Sequence, residues 1–164
     1  MASSTCFAPC LAAATGASSM PHWLIDGGMT MNGSLLSRRW IRVALIYFVV
    51  AVCIGMFMGA TQDFRLRGVH VHVNMLGWVS AALTGCVYFL FPQAATTRLA
   101  CVHFWLYNLA LPVMMTSLAA LYFGQAGAEQ IVGLSSVAMV LAVATFAFNV
   151  WRYGGLGVFA KSAE

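Results

Sequence analysis

Charge is what this chain of 164 residues has least of: eight lysines and arginines and four aspartates and glutamates, 7% of the whole. An ordinary soluble surface needs about a quarter charged residues, so a soluble globular domain is excluded. The net charge of +4 is small and scattered, which excludes a basic face for nucleic acid. Five cysteines are present, yet no two are separated by the two residues of a metal knuckle or redox dithiol. The first 35 residues lack the basic start of a secretory signal peptide. That Ala/Ser/Gly-rich segment, which holds Cys6 and Cys10, reads either as a disordered leader or as a mis-called start with Met29 or Met31 as the true one.

What fills the chain instead is apolar: 62% hydrophobic residues and a mean hydropathy of +0.86. Four stretches can cross a bilayer core of roughly 30 Å as helices: Trp40 to Ala60, Val69 to Phe91, Leu99 to Phe123 and Ile131 to Trp151. Their connections are short, so successive helices pack as antiparallel neighbours. The expected fold is an all-α membrane protein: a four-helix transmembrane domain over 36–155 and a short tail over 156–164. With the N-terminus inside, Arg38, Arg39, Arg42, Arg98, Arg152 and Lys161 lie inside and only Arg65 and Arg67 outside. This asymmetry predicts both termini on the cytoplasmic side. Cys53, Cys86 and Cys101 fall inside spans and read as buried free thiols.

The second span opens with His70-Val71-His72, two imidazoles at a membrane mouth, where ligating side chains are costly unless used. Residues two apart on a helix point about 200° from each other, so the two serve opposite faces and cannot hold one ion together. His70 heads a stripe of small residues with Asn74, Gly77, Ala81 and Gly85, room for a flat macrocycle or a close helix. His72 heads a bulkier stripe with Met75, Leu76, Val79 and Leu83. The plain alternative is that each histidine hydrogen-bonds a headgroup or a loop carbonyl. In the loop ahead of them, Arg65 and Arg67 suit either an organic carboxylate or lipid headgroups.

In the first span, Gly55 and Gly59 have the spacing that lets helices approach closely, and Met56 and Met58 are either packing residues or thioether ligands at the level of the histidines. His103, near the opposite face, reads as a structural hydrogen bonder or an interfacial residue, with proton uptake as the other reading. Pro112 is expected to bend the third helix, and Phe148-Asn149-Val150-Trp151-Arg152 to anchor the fourth at the interface.

The string HVHVNMLGWVSAALTGCVYFLFP closely resembles the tenth helix of the catalytic subunit of cbb-type cytochrome c oxidases, in the haem-copper oxidase superfamily. The His103-Phe104-Trp105 opening of the third helix and the Asn149 to Arg152 close of the fourth resemble that subunit's last helices. The resemblance runs from Arg38 to Arg152, about 115 of 164 residues. It implies a bundle like one four-helix arc of that subunit, with His70 as ligand to a high-spin haem and His72 as an axial ligand to a low-spin haem. It further implies haem b as cofactor, Arg65 and Arg67 as propionate partners, and Asn74 and Gly77 in the haem-binding stripe.

Departures limit what carries over. Those oxidases have about a dozen helices, and their copper ligands, second low-spin haem histidine and redox-active tyrosine lie on helices without a counterpart here. Val73-Asn74 also replaces the small polar pair that follows the histidines in the family. The expected function is therefore a haem b membrane protein for electron transfer or diatomic gas sensing, not a complete oxidase. The alternative is a non-haem accessory or assembly subunit of a respiratory complex that handles copper through His70, His72 and the methionines. No Cys-x-x-Cys-His tethers a c-type haem. Beyond membrane lipid, the expected partner is a second and third copy of the chain. A homotrimer would rebuild the pseudo-threefold ring of those oxidases by closing one heterologous interface three times.

Overall fold

A computed structural model describes residues 22–155, with side chains from residue 34. The leader and tail expectations concern residues that lie largely outside that range. Five helices are described: α1 (His22–Thr61), α2 (Arg67–Leu90), the short α3 (Pro92–Ala95), α4 (Arg98–Tyr122) and α5 (Ala128–Tyr153). Four of them are long and apolar enough to cross a membrane, with the first span running over Ser34–Thr61. Among the described residues there is no strand. The fold is all-α with four spans, as the apolar runs imply.

Local chemistry sets the boundaries. Phe91 leaves the helical region (φ −120°, ψ 71°) because Pro92 follows it, and Pro92 then opens α3. Thr97 caps α4 by accepting the Ala100 N–H at 3.1 Å. Gly124 and Gly127, at φ 77° and 82°, make the tight loop from α4 to α5 that only glycine adopts without strain. Helix α4 runs unbroken through Pro112.

One feature of α2 departs from the regular helix expected there: Val73–Ser80 is π-helical. The wider turn leaves carbonyls for side-chain donors. Ser80 donates to Met75 O five residues back at 2.8 Å, and Tyr107 of α4 donates to Leu76 O at 2.8 Å. Such insertions gather at functional sites.

Packing runs in two antiparallel pairs, α1 with α2 and α4 with α5. In the first pair, glycines on one helix receive bulk from the other. A Cβ on Gly77 would stand 2.7 Å from Tyr47 Cγ, one on Gly85 2.9 Å from Ile41 Cδ1, and one on Gly55 2.9 Å from His70 Cε1. Among the described residues nothing lies within 4 Å of a Cβ on Gly59, so that half of the small-residue pair is not a contact there. Outward faces carry Leu45, Ile46, Val49, Leu134 and Val140, which suits lipid. Cys53 and Cys86 lie on that exposed side, which corrects the expectation of buried thiols. A cysteine inside a span can face lipid as readily as protein, because both environments are apolar.

Candidate functional site

At the loop end of α2 the two histidines separate as their spacing requires. The His70 ring packs between α1 and α2, with Nδ1 2.9 Å from Ala51 O. A carbonyl can only accept, so Nδ1 carries the proton and Nε2 the lone pair. The Asn74 amide caps that lone pair at 3.3 Å while also donating to His70 O at 3.0 Å. His72 is exposed, and its Nδ1–H donates to Gly68 O at 2.8 Å. Its Nε2 lone pair has no partner among the described residues. Gly68 is itself pressed by the Tyr122 hydroxyl, which leaves no room for a Cβ and fixes the carbonyl that braces His72.

The loop arginines differ. Arg65 forks onto Asp63 through Nε at 3.0 and 2.9 Å and Nη2 at 2.5 Å, and its guanidinium lies 4.7 Å from the Phe123 ring centroid. Hydrogen bonds from Arg65 hold the Asp63 carboxyl below its ordinary pKa, and the same pairing raises that of Arg65. Arg67 is exposed and makes no ion pair among the described residues. Met56 faces outward, and Met58 is buried.

These positions bear on the haem that the resemblance implies. The small-residue stripe headed by His70 is closed by α1, because Tyr47 fills the space over Gly77, and Ile41 and Trp40 fill that over Gly85. Of the two options for that stripe, the close helix is the one present. His72 fits a haem in tautomer, bracing and access, on the outer flank of the four-helix unit. His70 has the right tautomer but needs Asn74 to move. Among the described residues no three His, Cys, Asp or Glu side chains gather in one place.

A second polar cluster sits at the other end of the bundle, around His103. His103 is 1% exposed, stacked on Trp40 (centroids 4.8 Å, 27°) and against Phe146 (5.0 Å, 33°). Tyr88 Oη lies 3.1 Å from its Nδ1. Asn149, expected in the interfacial anchor of the last helix, is instead fully buried. Its Nδ2 donates to Ala94 O at 2.9 Å and to Tyr88 Oη at 3.4 Å, while its Oδ1 accepts from Thr97 Oγ1 at 2.7 Å. Trp40 Nε1 is buried without a partner among the described residues. Of Tyr88, His103 and Asn149, only Asn149 reads as an interfacial anchor in sequence; a structural hydrogen bond was one of the readings for His103, and it is the one present. The usable signal was topological, since antiparallel spans bring all three to one level.

Comparison with protein-family models, with curated proteins and with solved structures finds no match for this chain.

Proposed function

We propose that this chain is a haem b-binding protein of a bacterial inner membrane, related to the catalytic subunit of haem-copper oxidases. Its role in this reading is electron transfer or diatomic gas sensing. The observation that carries the reading is the His72 imidazole, with Nδ1–H held at 2.8 Å by Gly68 O and Nε2 open on an exposed flank. Metal-ligating histidines are braced in this way, through the nitrogen that does not ligate. His70 shares the tautomer through Ala51 O, and the Asn74 amide would swing off its Nε2 for it to ligate. Arg67, with no ion pair among the described residues, is the better propionate partner, because Arg65 is already forked by Asp63.

Haem held there would supply one-electron transfer or a binding site for a diatomic gas. The chain's own part is to present Nε2 of His72, to brace its ring from Gly68 and to set cationic side chains at the mouth. Because α1 closes the His70 stripe, His72 would hold a haem from the outside of the unit. A second copy of the chain covers it, and a ring of three copies is the closed arrangement that the resemblance favours. Charge placement orients the histidine level to the periplasm and both termini to the cytoplasm.

The test is a pyridine haemochrome spectrum of the detergent-purified full chain. Haem b is expected, and it is lost in His72→Ala. Stoichiometric copper without a Soret band would overturn the reading in favour of a copper-handling accessory subunit.

A further inference from the structure

Protons can be followed through the buried cluster. Asn149 Oδ1 is taken by the Thr97 hydroxyl, so both hydrogens on Nδ2 are committed, one to Ala94 O and one to Tyr88 Oη. The Tyr88 proton then has one acceptor in reach, Nδ1 of His103. In the neutral ring the remaining proton sits on Nε2 of His103. That N–H has no partner among the described residues, and it is not fully enclosed as the unpartnered Trp40 Nε1 is, so Nε2 of this buried residue keeps contact with open space. A donor that meets open space in an apolar surrounding is free for an acceptor supplied from elsewhere.

The same ring lines a cavity of about 250 Å³ between α2, α4 and α5. Its wall includes the Thr84 hydroxyl, also without a hydrogen-bond partner among the described residues, together with Tyr107 and Phe146. The mouth is flanked by Leu83 and Val143, both on the exposed side of their helices, so the cavity opens toward lipid.

Four properties define the occupant. The lining holds no lysine or arginine, so a carboxylate or phosphate head would be buried without a counter-charge. The unpartnered groups can donate, so the head must accept. Aromatic walls favour a flat ring. The volume falls below the roughly 300–1,000 Å³ of drug-sized pockets, which admits one ring and leaves any tail in the membrane.

We propose that this cavity binds the head group of a lipid-soluble quinone, with a ring carbonyl accepting from Nε2–H of His103 and the tail leaving between Leu83 and Val143. The site is separate from His70 and His72 and stands whether or not the chain holds haem.

The experiment uses the full chain in phosphatidylcholine nanodiscs, titrated with a short-tailed dimethoxy-methyl-1,4-benzoquinone. The readout is quenching of tryptophan fluorescence, to which Trp40 contributes through its stack on His103. Saturable quenching is expected, weakened by about tenfold or more in His103→Phe, which removes the donor. The same loss is expected in Val143→Phe, which blocks the mouth from an exposed position. Leu134→Phe, on the outward face of α5, should bind as the wild type does. Should His103→Phe fail to fold, Val143→Phe decides alone. Linear, unsaturable quenching equal in all variants would mean membrane partitioning and would overturn the proposal. So would equally tight binding of the dimethyl ether of the reduced ring, or displacement by oleate, since either makes the cavity an acyl-chain crevice.

Discussion

A methyl group on Gly55 would stand 2.9 Å from Cε1 of His70, so the imidazole occupies the space that a side chain on α1 would need. The approach lets Nδ1 reach the Ala51 carbonyl one turn earlier. Alanine normally improves a helix interior by up to about 1 kcal/mol over glycine. Gly59→Ala, with nothing within 4 Å, should therefore be neutral or mildly stabilising. Gly55→Ala should instead destabilise by about 1–3 kcal/mol through overpacking. Thermal unfolding in detergent compares the two, and equal effects would refute the seat assigned to His70.

The two histidines should also part company spectroscopically. His72→Ala should abolish the low-spin b-type reduced-minus-oxidised spectrum, and His70→Ala should weaken it or change its spin state. His103→Ala should leave it nearly intact, because His103 lies at the opposite end of the bundle. In a ring of three that shares haem between copies, co-expressing the His70 and His72 variants should restore roughly a quarter of the bis-histidine haem. No recovery from variants shown to co-assemble would leave each histidine serving its own chain.

Burial of Asn149 makes a prediction that an interfacial anchor would not. Tyr88→Phe removes the hydroxyl between His103 and Asn149 and should cost about 1–3 kcal/mol. Asn149→Ala strips partners from Ala94 O, Thr97 and Tyr88 and leaves a void, so it should cost about 2–5 kcal/mol. Chemical unfolding in mixed micelles measures both. A near-zero effect of Asn149→Ala would return that residue to the interface.

In the α1–α2 loop, Asp63 should titrate below the ordinary carboxylate value of about 3.9, because hydrogen bonds from Arg65 favour its charged form. A group whose pKa falls on folding contributes stability above its unfolded value and loses it as pH drops through the folded one. The pair is exposed, so that contribution is small and the pairing should hold at neutral pH. Carboxyl NMR titration should show the Asp63 midpoint return toward the ordinary value in Arg65→Gln.

Topology is open to direct measurement. Reporter fusions after Tyr153 and at Gln125 should report opposite sides of the membrane, with Gln125 outside. A periplasmic signal from the Tyr153 fusion would contradict the charge-derived orientation and the depth assigned to His72.

Four spans were legible in the sequence because bilayer thickness and the need to pair every backbone group leave long apolar runs one outcome, the helix. The apolar runs gave span ends only approximately; the boundaries themselves are set by local chemistry at Pro92, Thr97, Gly124 and Gly127. The opposed directions of His70 and His72 were also legible, since they follow from helix geometry alone. What each histidine touches was not. Whether the Gly77 stripe admits a macrocycle or Tyr47 depends on how closely α1 approaches, and that is set by side chains 30 residues away. The π-helical stretch in α2 is sustained in part by Tyr107 of another helix, so no local pattern announces it. Asn149, Tyr88 and Thr97 form one network only because two helical hairpins bring positions 52 and 61 residues apart into hydrogen-bond range. In a chain whose surface and core are both apolar, hydrophobicity identifies the spans but cannot say which way they face, and tertiary packing decided that.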